Sequence, residues 1–136
     1  MNLQLVPVYK YYAEAPWRFL YSTSPDINSG WKRAGIAFYG FGEQQDGTVP
    51  VYRYTAADPT RFLLSTNPDV DQGWQNEGVA FHAFKEANTE IGTTPVNQIR
   101  AQAPWRYQYV TKYNTTPGAG WEFDNLAFNV LDAEAA

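Results

Sequence analysis

Arginine follows a proline-bearing loop three times in this chain: Arg18 and Arg106 in Ala-Pro-Trp-Arg, Arg61 in Asp-Pro-Thr-Arg. Two of these loops place a tryptophan beside it, Trp17 and Trp105. Further on, Asp26 and Asp69 lie in Ser-Pro-Asp and Asn-Pro-Asp, and Trp31, Trp74 and Trp121 each follow a glycine. These residue types suit sugar binding. An exposed indole stacks on the C–H face of a pyranose, and two or three polar groups fix its hydroxyls. Each also has a plainer role. Pro-Asp is ordinary turn chemistry, and a repeated arginine can hold an ion pair with a neighbouring loop. Trp31, Trp74 and Trp121 suit a core layer. Trp17 and Trp105 give way to Thr60 in the middle loop, so they do not belong to a common core; their plainer role is a lid over a barrel's open end.

Catalytic chemistry is poorly provided for. His82 is the single histidine, with no repeated Ser or Asp placed to complete a triad, and there is no cysteine. A transition-metal site lacks its His and Cys ligands. Asp26 and Asp69 hold the same position in successive copies, which places them on separate parts of a symmetric body and not in the facing pair that a glycosidase needs. No phosphate-cradling glycine loop occurs. The chain is therefore expected to be no enzyme and to need no metal or cofactor. Its net charge is −4, without a basic stripe, which argues against nucleic acid. No apolar run approaches ~18 residues, so no membrane insertion is expected. Residues 1–10 lack a basic stretch followed by an apolar one, so a cytoplasmic protein, or one released without a signal peptide, is expected.

The recurring residues belong to a repeat. Residues 6–41, 49–84 and 94–131 align, with prolines at 7, 50 and 95 and glycine-tryptophan pairs before each closing Ala-Phe. The period of 43 to 47 residues covers nearly the whole chain. With 136 residues, 17% aromatic and 18% charged, the chain reads as one globular domain, 1–136, with repeats at about 6–48, 49–93 and 94–136. Each copy reads as four short strands, such as Pro-Val-Tyr-Arg-Tyr, Arg-Phe-Leu-Leu-Ser-Thr, Gly-Trp-Gln-Asn-Glu and Val-Ala-Phe-His-Ala-Phe. In the fourth, Ile36 and Phe38, Val79 and Phe81, and Leu126 and Phe128 define a core face, while Tyr39, His82 and Asn129 face solvent. In the second, Phe19, Phe62 and Tyr107 share a face with Tyr21, Leu64 and Tyr109 as another core layer. Gly35, Gly78 and Asn125 suit a tight turn with positive φ between the last two strands. Glu77 and Asp124 precede that turn, but Ala34 breaks the set. Twelve strands in three units fit an all-β fold, a β-trefoil with threefold internal pseudo-symmetry; the alternative is an oligomeric β-propeller, whose rings typically need 4–8 blades.

Pro-Val-Tyr-Arg-Tyr, then Arg-Phe-Leu-Leu-Ser-Thr, then Gly-Trp-x-x-x-Gly-Val-Ala-Phe resembles a repeat domain of unassigned function. That domain is often attached to secreted bacterial hydrolases and is generally regarded as a lectin-like β-trefoil. The chain is more loosely similar to small stand-alone trefoil lectins of fungi and bacteria. The family's second strand usually opens with histidine, where Arg18, Arg61 and Arg106 stand here. The resemblance implies a carbohydrate-binding protein with up to three related shallow sites and multivalent recognition of glycans or glycoproteins; a homodimer stays open. The alternative from another class is a trefoil protease inhibitor that inserts one exposed loop, and a structural interaction module or toxin subunit is a third reading.

Overall fold

The computed structural model describes residues 5–13, 18–25, 27, 30–56, 61–70, 73–87, 90, 92–101, 106–111 and 120–131. Among these residues every element is a strand: β1 (Leu5–Ala13), β2 (Arg18–Ser22), β3 (Lys32–Phe41), β4 (Thr48–Ala56), β5 (Arg61–Ser65), β6 (Gln75–Phe84), β7 (Thr93–Ala101), β8 (Arg106–Val110) and β9 (Glu122–Leu131). All pairings are antiparallel, and each repeat is a three-stranded unit with its first strand in the middle: β2-β1-β3, β5-β4-β6 and β8-β7-β9. The long strands join the units, Phe41 opposite His82 and Phe84 opposite Asn129.

The prolines explain where each unit is open. Pro7 pairs with Tyr39, in the part of β1 that β2 does not reach, since β2 covers only Tyr9 to Ala13. A residue with no N–H can lie there without breaking a ladder. Pro50 and Pro95 occupy the same place in β4 and β7.

The expected third and fourth strands are one. In each repeat a single ten-residue strand runs from just after the tryptophan to the end of the aromatic stretch. It bends at bulges and does not turn back. Between Tyr11 opposite Arg33 and Tyr9 opposite Ile36, β3 spends one extra residue at Ala34–Gly35, and β6 does the same at Glu77–Gly78. Gly35 and Gly78 have φ of 107° and 106°, which glycine adopts without penalty. The positive φ expected from the sequence is present, but it serves a bulge inside a strand. In β9, Asn125 faces Gln98 in register and the slip moves to Asp124.

A second bulge corrects the expected core face. Val8 pairs with Phe38 but Tyr9 with Ile36, so Ala37 is the extra residue and the two-residue alternation restarts there. Phe38, Phe81 and Phe128 are buried as expected, whereas Val79 and Leu126 are each 50% exposed and Ile36 is half-buried. On the opposite side Asn129 is buried, with its Nδ2 3.4 Å from the Lys85 carbonyl oxygen, and Tyr39 and His82 are half-buried.

The centre is built in threefold layers. The rings of Phe38, Phe81 and Phe128 meet pairwise at 5.6 Å with interplanar angles of 62°, 69° and 72°. Edge-to-face pairs of this kind contribute about 0.5–1.5 kcal/mol each beyond their burial. Val8, Val51 and Val96 are fully buried beside them, and Tyr21, Leu64 and Tyr109 form the expected further layer with Phe19 and Tyr107 packed against it.

Candidate functional site

The repeated arginines and tryptophans meet within each repeat. Arg18 opens β2 opposite Ala13, and Trp31 lies just before β3, whose first residue is opposite Tyr12. The two side chains therefore flank the end of β1 on either side, separated by two strand spacings of about 4.8 Å each. An alanine between them, Ala13, lets the arginine reach across. Ala56 and Ala101 do the same in the other repeats, opposite Arg61 and Arg106. The guanidinium carbon lies 5.2 Å from the ring centroid for Arg18 over Trp31, 5.2 Å for Arg61 over Trp74 and 5.3 Å for Arg106 over Trp121.

Each indole also touches the next repeat. Trp31 meets Phe62 at 5.8 Å, Trp74 meets Tyr107 at 6.1 Å, and Trp121 returns to Phe19 at 5.6 Å. The tryptophans are half-buried, held between their own arginine and a neighbouring ring. Burial raises the Tyr107 phenol above its usual range; Asp124 adds to this, while Arg61 and Arg100 oppose it. Asp69 is exposed in the turn after β5, where its backbone N–H donates to Asn67 Oδ1 at 3.1 Å. Trp17, Asp26 and Trp105 lie outside the described residues.

Among the described residues two clefts open between repeats, at equivalent places. The first, about 180 Å³, lies between the end of β2 (Ser22, Thr23) and the β6 bulge (Glu77 to Ala80), with Arg53 of β4 in its wall. The second, about 290 Å³, lies between β5 and the start of the following turn (Ser65, Thr66) and β9 (Asn125 to Ala127), with Gln98 of β7 in its wall. A bulge removes ladder partners locally and splays the strand, which is why the clefts form there. Both volumes are below the roughly 300–1,000 Å³ of pockets for drug-sized ligands. They suit a single ring-sized polar group.

Their chemistry is paired and polar. In the first cleft Arg53 Nε donates to Glu77 Oε1 at 2.9 Å. In the second Gln98 Nε2 donates to Asp124 Oδ2 at 2.5 Å, and Arg100 Nη1 lies 3.5 Å from the other carboxylate oxygen. Gln98 is anchored from beneath: Tyr109 donates its phenolic proton to Gln98 Oε1 at 2.6 Å and accepts from the Leu64 N–H at 2.7 Å. The half-exposed side chains of Val79 and Leu126 form an aliphatic lip on each cleft. The first cleft thus gathers carboxylate, guanidinium, hydroxyl and C–H surface in one small space, while in the second the lining holds amide, hydroxyl and C–H surface and Asp124 stands behind Gln98. Among the described residues no group of three His, Cys, Asp or Glu could hold a metal ion, and no helix is long and apolar enough to cross a membrane.

Sequence reasoning noticed Glu77 and Asp124 but passed over Ser22, Thr23, Arg53, Ser65, Thr66 and Gln98. The available signal was Ser-Thr at the end of the second strand in two copies, with threonine kept as Thr111 in the third.

Comparison with known proteins gives one match. No curated protein and no solved structure matches the chain. The family described as Domain of unknown function (DUF5648) matches residues 2–69, half of the chain, spanning the first repeat and the second as far as Asp69. The chain belongs to that family.

Proposed function

We propose that this chain is a carbohydrate-binding protein, a lectin of β-trefoil type that recognises glycans through shallow sites at its repeat junctions. The observation that carries the reading is the recurrence of one polar cleft, with a wall side chain paired to a carboxylate and an aliphatic lip, at two equivalent junctions. A sugar ring needs that combination: acceptors and donors for its hydroxyls and an apolar surface for its C–H face. Trefoil geometry is supported by the filled axis, where three phenylalanine rings stand in mutual contact. A propeller surrounds a central channel instead. Trp17 and Trp105, in the Pro-Trp-Arg loops of the sequence, are proposed as further sugar-stacking groups. Weak single sites on one body gain avidity on a glycan-rich surface without new contacts.

A glycan array followed by calorimetry tests the reading. Binding to a defined set of glycans, weakened by Glu77→Ala, Asp124→Ala, Trp17→Ala or Trp105→Ala, is the expected result. A chain that binds no glycan and blocks a serine or cysteine peptidase through one loop overturns it in favour of an inhibitor.

A further inference from the structure

The three repeat junctions are related by symmetry but differ in chemistry. At two of them the wall residue, Arg53 or Gln98, is paired with a carboxylate of its own repeat, and the cleft stays open over a half-buried Ser-Thr pair. At the junction of repeats three and one the wall residue is Lys10, and Ala34 takes the place of the acid. Lys10 turns to the neighbouring repeat. Its Nζ donates to Gln108 Oε1 and lies 5.2 Å from the centroid of the Phe19 ring. Lys10 is only 8% exposed, and its acceptor from repeat three, Gln108, is buried as well.

We propose that the chain carries two sugar sites, both for an uncharged pyranose, and that the third junction is filled by Lys10. The proposal rests on the sugar-binding reading above. The charge balance selects the ligand. Arg53 is neutralised by Glu77, and Asp124 lies between Gln98 and Arg100, so neither cleft offers an uncompensated cation to a sialic acid or sulfated sugar. In the first cleft Glu77 can accept from neighbouring hydroxyls while the Arg53 guanidinium donates to a third oxygen, and in the second the Gln98 amide, held by Asp124, faces the hydroxyls beside Ser65 and Thr66. Val79 or Leu126 covers the C–H face. The result is a two-site body that can bridge two glycans but presents no third point of attachment.

Native mass spectrometry with methyl glycosides of galactose, glucose, mannose and N-acetylglucosamine, alongside sialyllactose, counts the sites. Two neutral glycosides per chain are expected, falling to one in Glu77→Ala and in Asp124→Ala and to none in the double variant. Thr23→Trp and Thr66→Trp fill the clefts without touching the charged pairs and should each remove one. Three bound glycosides, one in the unaltered chain, binding that survives in the Glu77→Ala/Asp124→Ala double variant, or preference for sialyllactose overturns the inference while leaving the lectin reading intact. No binding of any sugar overturns both. Reductive methylation tests the closed junction without a sugar: Lys10 should react many-fold more slowly than exposed Lys32 and Lys85, and equal rates overturn the proposal.

Discussion

The indole of Trp121 meets the ring of Phe19 edge-on at 5.6 Å, which joins the last repeat to the first. Trp121→Ala should therefore destabilise the whole body. The expected cost is about 3 kcal/mol, the low end of the range for buried aromatic truncation, because this indole is half-buried. Arg106→Ala removes the guanidinium stacked on this indole, a contact of about 0.5–1 kcal/mol. Urea unfolding followed by near-UV circular dichroism reads both. An unchanged midpoint for Trp121→Ala, with lost glycan affinity, would move this tryptophan from support to binding.

Gly40 lies against the central rings. A methyl group there would come 2.7 Å from Phe81 Cδ2 and 3.3 Å from the His82 carbonyl oxygen. Phe81 cannot swing away, because Phe38 and Phe128 hold it on two sides. Gly40→Ala should cost about 1–3 kcal/mol, as overpacking does. The equivalent Ala83 and Val130 are accommodated, so the intolerance belongs to one repeat alone. A thermal melt of Gly40→Ala that matches the parent refutes this.

Two phenols bond to backbone of the neighbouring repeat, but unequally. Tyr21 accepts from the Tyr109 N–H at 2.9 Å, whereas Tyr109 accepts from the Leu64 N–H and also supports Gln98. Tyr109→Phe takes the phenol from three groups, the Leu64 N–H, the Leu64 carbonyl and Gln98 Oε1, whereas Tyr21→Phe takes it from two, the Tyr109 N–H and carbonyl. At about 1–3 kcal/mol per orphaned group, Tyr109→Phe should be the more damaging. It should also weaken binding at the second cleft, since Gln98 loses its anchor. Equal unfolding midpoints for the two variants would contradict this ordering.

Stability should pass through a maximum on the alkaline side. Burial lowers the Lys10 ammonium from 10.5 to about 8, and burial raises the Tyr21 and Tyr109 phenols above 10. Between pH 8 and 10.5 the unfolded chain holds a proton at Lys10 that the folded chain has released, so stability rises with pH. Above pH 10 the unfolded chain loses phenolic protons that the folded chain keeps, so stability falls. The gain from Lys10 is on the order of 3 kcal/mol. Lys10→Met should abolish the rise and leave the alkaline fall, as urea titrations from pH 7 to 11 would show.

The sequence carried the repeat, the β character and the central phenylalanines openly, because symmetry forces the same residue onto the axis three times. Strand count was less legible. A glycine between two polar-to-apolar stretches looks the same whether the chain reverses or merely bulges, and only the register against β1 and β4 separates the two. The bulge at Ala37 then put Val79 and Leu126 in solvent, against a clean alternation. The clefts were hidden for another reason. Their walls come from consecutive repeats, so Ser22 and Glu77 become neighbours only when the first two repeats pack together. Ala34, which breaks the set of Glu77 and Asp124, belongs to the repeat whose Lys10 bonds across to Gln108.

The way each tryptophan serves the following repeat has a consequence for a single unit. One repeat alone would present an indole with no ring beside it and a ring with no indole. Such a contact is heterologous, and here it closes after three steps, as it would in a cyclic trimer of identical short chains. The protein is organised like that trimer within one polypeptide, so its three junctions, unlike a trimer's, need not share one chemistry.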